Sequence, residues 1–353
     1  MTGEHIDSLP SPALVVDAAR FEANVAAAES LAAGSGTFLR PHVKTHRCSG
    51  LALRQLGGAA RGVTCATVGE AEAMAAAGVD DVLVANEVVS PAKLERLAAL
   101  GGAALVSLAV DSADGVRRLS DAAAAAGTTV DVLVDVDVGL GRCGVATAAD
   151  AVALARSVDG SSGLRFAGLM GYEGRIRAEP ERPERLDLVA ETLAEAAAAV
   201  RDAGLPVETV SSGGTSTLLE ALADPVVTEI QAGTYALMEE DVDGLGLPFA
   251  PALSILATVI STAAGRAILD VGRKSIACDY GPPACLDPSG AVTAIHEEHT
   301  VLAWDGPAPG LGSRVALRPL HVRLTCNLHD ALWLVRDATV EERLPIDARG
   351  RSQ

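Results

Sequence analysis

The chain has 353 residues, 49% of them hydrophobic, and a net charge of −18. This composition supports a substantial core in one large domain or in a large and a small one. It excludes nucleic acid and anionic membrane as partners, because both demand basic surface.

Near the N-terminus, "PALVVDA" predicts a strand that joins a C-terminal sheet. From Thr37 to about residue 235, short β-branched runs alternate with helical stretches. The runs "TFLRPHV", "GVTCA", "DVLVAN", "SLAVD", "VDVLVDVDV", "FAGLMGY", "ETVSSGG" and "TEIQAG" predict eight strands. Segments 47–58, 69–78, 91–100, 113–127, 147–159 and 183–204 predict helices, favoured by alanine-rich runs such as "DAAAAAGTT". Continuously apolar strands with helices between them imply a parallel sheet covered on both faces. The predicted architecture is therefore α/β, a (β/α)8 TIM barrel over residues 21–245. An open doubly wound sheet is the alternative, and no GxGxxG follows the first strand to support it.

Beyond residue 245 the texture changes. Stretches such as "SRVALRPLHVRLTCNLHDALWLV" alternate apolar and polar residues, which predicts an antiparallel β domain from 1–20 plus 246–353. The tail "EERLPIDARGRSQ" is polar and is expected to fray. Six cysteines (Cys48, Cys65, Cys143, Cys278, Cys285, Cys326) include no CxxC pair and read as reduced thiols of a cytoplasmic protein. The opening "MTGEHIDSLPSP" has no secretory-signal pattern, and no uncharged apolar run reaches membrane-spanning length.

Barrel chemistry sits at the C-terminal ends of the strands. There the sequence "RPHVKTH" places Arg40, His42, Lys44 and His46, and period-two alternation puts His42, Lys44 and His46 on one face. Arg142 follows the fifth predicted strand, and Tyr172 ends the sixth. The seventh opens into Ser212-Gly213-Gly214-Thr215, and the eighth leads through Gln231 to Gly233 and Thr234. Two glycine-containing turns can offer N–H groups to a phosphate. A lysine at the same mouth can form a Schiff base. Together with an aromatic residue, they point to pyridoxal 5′-phosphate. Taken singly, each has a plainer reading: "SGGTS" as an ordinary turn, Lys44 as a solvated cation, Arg142 as an ion-pair partner and Tyr172 as a packing residue.

The ordered motifs "RPHVKTH", "VDVGLGRCG", "GYEG", "SSGGT", "EIQAGTY", "EEH" and "HVRLTCNL" resemble the D-threonine aldolase and D-serine dehydratase family, which has the alanine-racemase type of fold. The resemblance runs from residue 10 to about 335. It implies Lys44 as the Schiff-base lysine, supported by His42. Arg142 would face the pyridine nitrogen and Tyr172 would lie beside cofactor and substrate. Ser212, Gly213, Gly214 and Thr215 would hold the phosphate, with Gln231, Gly233 and Thr234 completing the cup. A homodimer acting on a small amino-acid substrate is also implied.

The resemblance breaks at one place. The family has a late metal site, His-x-Asp or His-x-Cys before T-x-N-L, and here His321 is followed by Arg323. Arginine cannot ligate a divalent cation and repels it. Either metal is lost, with Arg323 binding a carboxylate or polarising the β-hydroxyl and His321 serving as base, or metal persists through His299 and His321 with a carboxylate from elsewhere in the chain. The "HEEH" run at 296–299 lacks the HExxH spacing and reads as a solvated loop. Glu173 stands where the family often has histidine. It is expected to act as acid or base, to pair with Arg323, or to face solvent. Ala66 stands where a polar residue is expected beside the cofactor.

The expected activity is a lyase acting on the Cα–Cβ bond of a β-hydroxy-D-amino acid such as D-threonine or 3-hydroxy-D-aspartate. The alternatives are a dehydratase, a racemase or epimerase, a biosynthetic aldolase or transaldolase, and a non-catalytic cofactor-binding protein.

Overall fold

A computed structural model describes residues 2–239 and 245–353. Strand β1 (Ala13–Asp17) leads directly into α1 (Ala18–Ala32), and Asp17 caps it by accepting from the Arg20 N–H. Eight parallel strands follow: β2 (Phe38–Leu39), β3 (Val63–Cys65), β4 (Asp81–Val84), β5 (Leu105–Val110), β6 (Val130–Asp135), β7 (Leu164–Gly171), β8 (Thr209–Ser212) and β9 (Glu229–Ile230). Between them lie α2 (Ser49–Gln55), α3 (Val68–Ala76), α4 (Pro91–Leu100), α5 (Ala113–Ala126), α6 (Ala148–Asp159), α7 (Arg182–Asp202) and α8 (Leu218–Ala223). Side chains of Thr67, Ser112 and Thr147 accept from the N–H three residues on, so polar caps fix where three of the strand-to-helix turns end.

The strand order runs β2-β9-β8-β7-β6-β5-β4-β3. The two ends meet at a parallel bridge between His42 and Thr64, where the Thr64 N–H donates to the Pro41 carbonyl at 2.9 Å. The expected (β/α)8 barrel is the observed one. Leu83, Ala109, Leu133, Ala167 and Met170 pack together as one cluster, and their strand neighbours of opposite parity pack with the helices in another.

The second sheet contains β10 (Leu253–Ala263), β11 (Arg266–Leu269), β12 (Ala284–Cys285), β13 (Gly290–Ile295), β14 (Thr300–Trp304), β15 (Arg314–Arg318), β16 (Ala331–Arg336) and β17 (Thr339–Pro345). β1 joins it as expected. It pairs antiparallel with β10 and parallel with β16, so one parallel pair sits inside an otherwise antiparallel sheet.

Three expectations need correction. First, "RPHVKTH" does not run on as a strand. Its chain tightens into a 3-10 turn over Val43–Thr45, where His42 Nδ1 accepts from the Lys44 N–H at 3.5 Å. Period-two alternation therefore stops, and His46 turns away from His42 and Lys44. Second, "HVRLTCNL" is a helix, α9 (Val322–Asn327). Val322, Thr325 and Cys326 are its buried residues, a helical spacing hidden inside the apparent alternation.

Third, the tail does not fray. "EERLP" lies in β17, Ile346 and Ala348 are buried, and the Gly69 N–H at the start of α3 donates to the Gln353 carbonyl at 3.0 Å. Asp347 accepts from the Ser49 N–H at 2.9 Å, placing a carboxylate at the N-terminus of α2. Removing residues 346–353 should therefore cost about 2–4 kcal/mol of stability, from lost apolar burial and a lost cap. Urea unfolding of the truncated chain measures this, and an unchanged midpoint would restore the frayed tail.

Candidate active site

Lys44 is enclosed at the C-terminal mouth of the barrel. Burial, then the Arg323 and Arg142 guanidinium groups, pull its amine down to about 8 against the opposing pull of Glu70. Its Nζ lies 5.2 Å from the centre of the Tyr172 ring, and Arg142 Cζ lies 5.4 Å from the same centre. One aromatic ring thus sits close to both cations. The Tyr172 phenol is held above its usual range by burial, with Glu173 adding to it. His42 is buried and kept neutral, chiefly by desolvation and then by Lys44.

The pocket is lined by His42, Lys44, Thr45, Ala85, Arg142, Met170, Tyr172, Gly214, Thr215, Gln231, Gly233, Thr234 and Arg323. It holds two permanent cations, Arg142 and Arg323, beside the titratable Lys44, and no carboxylate among the described residues. Nine of the residues singled out from sequence gather here: His42, Lys44, Arg142, Tyr172, Gly214, Thr215, Gln231, Gly233 and Thr234, with Arg323 as a tenth. Ser212 and Gly213 instead line a separate groove on the far side of their turn, with Glu173 and Arg182.

The two glycine turns are tied together. Thr215 Oγ1 accepts from the Tyr235 N–H at 3.0 Å, and Gln231 Nε2 donates to Ser211 Oγ at 2.9 Å. Gly233 is required by close approach, since a Cβ there would sit 2.4 Å from the His42 carbonyl oxygen. Glu173 neither faces solvent nor pairs with Arg323. It is buried against the turn, accepting from the Gly214 N–H at 3.2 Å and from the Thr217 hydroxyl.

The remaining members of the "RPHVKTH" cluster have structural jobs. Arg40 donates to Glu229 at 2.7 Å and to Asp81 at 2.6 Å. His46 is buried, with Nε2 2.8 Å from Gln55 Oε1, and burial pulls its imidazole down to about 4. Gln55 in turn donates to the Tyr235 hydroxyl.

At the altered motif, Arg323 reaches the pocket and His321 does not line it. Arg323 is held by the fully buried Glu239 carboxylate at 3.3 Å, and Arg175 binds the same oxygen. The backbone N–H of Val322 donates to the other Glu239 oxygen at 3.1 Å. Arg323 Nε is buried with no hydrogen-bond partner. His321 Nδ1 sits 2.7 Å from Asp279, and its ring stacks on Tyr280 with centres 4.2 Å apart.

Sequence reasoning missed Thr45, although it lies inside "RPHVKTH", and it missed Ala85 and Met170. It also missed Glu239, Asp279 and Tyr280, which no local pattern marks because they act only through residues distant in sequence. Ala66 does not line the pocket. Its N–H donates to Glu70, and Glu70 pairs with Arg47.

These residues fit the phosphate and ring of pyridoxal phosphate. Thr45 Oγ1 is a buried pocket atom with no partner, a donor awaiting an acceptor. Thr215 opens a 3-10 turn, whose leading N–H groups have no partner inside the turn. The family's divalent metal is a different case. Its second ligand position holds a guanidinium tied to a carboxylate, and His299 lies in an exposed hairpin turn. Among the described residues, the one cluster with metal-ligand geometry is Glu87, Asp111 and Cys143, which does not include His321. The residues at His321 and Arg323 therefore do not fit a divalent cation.

A parallel barrel closed beside a buried lysine, with paired glycine turns and a covering β sheet, defines the alanine-racemase class of barrel. The chain belongs to that family: residues 16–241 match the model "Alanine racemase, N-terminal domain", and residues 252–335 match a serine dehydratase domain. It is 42% identical to a D-threonine aldolase of Arthrobacter sp, covering 99% of this chain and 96% of the relative. It is 33% identical to a 3-hydroxy-D-aspartate aldolase of Paracoccus denitrificans, covering 99% and 95%. The crystal structure of D-threonine aldolase from Filomicrobium marinum superposes with a TM-score of 0.95 at 37% identity, covering 100% of this chain and 99% of that one. The resemblance read from the motifs holds.

The charges around Lys44 give a direct test. In cofactor-free protein, acetylation of Lys44 followed by peptide mass spectrometry should titrate with a midpoint near 8. Arg323→Met removes a repelling cation, so the midpoint should move up toward the ordinary lysine value. An unchanged midpoint would show that Arg323 does not act on Lys44.

Proposed function

We propose that the protein is a pyridoxal-phosphate-dependent lyase that cleaves or forms the Cα–Cβ bond of a β-hydroxy-D-amino acid. The observation that carries this reading is the buried Lys44, its amine lowered to about 8, in a pocket that holds both glycine turns and, among the described residues, no carboxylate. The matches to named aldolases along nearly the whole chain support it. When bound, the cofactor supplies the electron sink that lets negative charge develop at Cα.

The chain's residues divide the remaining work. Lys44 is neutral often enough near neutral pH to act as a nucleophile. The turn at Gly214 and Thr215, with Gly233, Thr234 and the Thr45 hydroxyl, would hold the phosphate, the Gly214 N–H itself being engaged by Glu173 and Thr217. Arg142 would face the ring nitrogen, and because a guanidinium keeps its own proton it would supply a hydrogen bond there without a full charge on the ring. Tyr172 would lie beside the ring and the reacting carbon.

Arg323 takes the substrate carboxylate. Its unpartnered Nε is costly while buried alone, and a carboxylate relieves that cost. Glu239 fixes the guanidinium, so little freedom is lost when substrate arrives. For His321, two residues from Arg323 and outside the pocket lining, to serve as the base for the β-hydroxyl proton, the β-substituent must extend past Arg323 to reach it. Asp279 accepts from Nδ1, which leaves Nε2 as the free acceptor. Loss of the β-hydroxyl, the dehydratase reaction, calls for a Lewis acid on that oxygen. A guanidinium does not provide one, which favours the aldolase reaction.

Two further readings accompany this one. All six cysteines are unpaired, which supports a reducing cytoplasmic location. The family resemblance supports a homodimer.

Purified holoprotein incubated with D-threonine should yield glycine and acetaldehyde, and with 3-hydroxy-D-aspartate glycine and glyoxylate, unaffected by a chelator. His321→Ala should lower kcat by about 10²–10⁴-fold. In deuterated water, Cα exchange without cleavage would sink the lyase reading in favour of a racemase. Tight cofactor binding with no turnover of any hydroxyamino acid would leave a binding protein. Chelator-sensitive activity with stoichiometric metal would overturn the role given to Arg323.

A further inference from the structure

Glu173 is a buried carboxyl group with no ion-pair partner among the described residues. It is 3% exposed, it follows Tyr172 at the end of β7, and its two oxygens stand in unlike surroundings. Oε1 accepts from the Gly214 N–H at 3.2 Å and from the Thr217 hydroxyl. Oε2 is enclosed and has no partner. The same Gly214 N–H also reaches Thr217 Oγ1 at 2.9 Å, so this N–H is directed back into the turn. Gly214 and Thr215 face the pocket, and Glu173 grips the same turn from behind.

The charged groups around Glu173 are arranged without reference to it. On the far side of the turn, Arg182 is committed to Glu220 and to the carbonyl oxygens of Ile176 and Ser216. Asp187 of α7, Glu220 of α8 and Asp224 just beyond it are the carboxylates lining that groove, and each would oppose a negative Glu173. The Tyr172 phenol is the titratable neighbour on its own strand. Arg175, two residues on, is bound to Glu239. A negative Oε2 would have no donor and no cation to stabilise it. Burial accordingly pushes this carboxyl above its usual range, against the hydrogen bonds that favour its ionised form.

We propose that Glu173 is a positioning residue for the cofactor phosphate, bracing the Gly213–Thr217 turn from behind as an un-ionised acid. This rests on the pyridoxal-phosphate reading above and adds a residue to it. A neutral brace holds the turn without repelling a phosphate on its other side. When Glu173 ionises, it sets a negative charge behind the phosphate, so cofactor affinity falls as pH rises through its folded-state titration. The phosphate itself moves that titration further up, by the reciprocal linkage of the two sites.

The test is cofactor release from diluted full-length holoprotein across a pH series, with bound and free pyridoxal phosphate measured, in wild type, Glu173→Gln and Glu173→Ala. Glutamine keeps the accepting oxygen and cannot ionise. Glu173→Gln should hold cofactor within about twofold of wild type at neutral pH, and wild type should become the weaker binder by up to about tenfold per pH unit between the titrations of its cofactor-free and cofactor-bound forms. Effects of Lys44 are common to both proteins and cancel in their ratio. Glu173→Ala should release cofactor at every pH. Loss of cofactor by Glu173→Gln at neutral pH, or parallel pH curves for it and wild type, would overturn the proposal. A wild-type protein that never holds pyridoxal phosphate overturns this proposal and the function together. One that holds it but cleaves no hydroxyamino acid overturns only the lyase reading.

Discussion

The site depends on how the barrel closes. Eight strands form a cylinder only if the first and last in order meet, and here β2 and β3 join through a short bridge at His42 and Thr64. Just before that bridge, Arg40 binds Glu229 at the start of β9 and Asp81 at the start of β4. Burial works against the charge on Arg40, yet the two carboxylates hold its guanidinium protonated more firmly than in water. Removing either carboxylate leaves a poorly compensated buried charge, so the closure is set with little tolerance. Two residues past the bridge stands Lys44. Its position in the mouth follows from the closure as directly as from its own turn.

Much of this was legible in the sequence, for identifiable reasons. The barrel strands are buried on both faces, so their apolar runs stand out, as in "VDVLVDVDV", and polar caps such as Thr67 and Thr147 mark the helix starts. The pocket residues at strand ends could be read because the fold fixes that end as the chemical one. Short elements were not legible. "KTH" and "HVRLT" are each near one turn of helix, too brief for a period of two to be told from one of three or four. His46 was placed in the mouth on that account, and the structure puts it behind, against Gln55. Glu173, Glu239 and Asp279 were unreadable for another reason. Their roles come from partners far along the chain, and no local spacing encodes a partner.

Arg323 shows how a substitution is accommodated. A third cationic side chain beside Lys44 and Arg142 would be costly by itself, and Glu239 takes up that charge. Arg175 shares the same carboxylate, and it also lies 5.2 Å from the Tyr280 ring on which His321 stacks. The guanidinium and the imidazole of the altered motif are thus linked through one buried acid and one aromatic ring. A change at Glu239 would be felt at both.

The placement of β1 has a consequence for how the molecule is made. Residues Val15 and Val16 pair with Ser254 and Leu253 on one side and with Trp333 and Leu334 on the other. Contacts between such distant parts of a chain form slowly, because a long loop must close before they give any return. Arg323 sits in α9 between β15 and β16, so it cannot be in place until both ends of the polypeptide have met. The barrel carries its own lysine and phosphate turns and can gather them earlier. During synthesis the lysine and the phosphate turns therefore leave the ribosome ahead of the arginine that faces them.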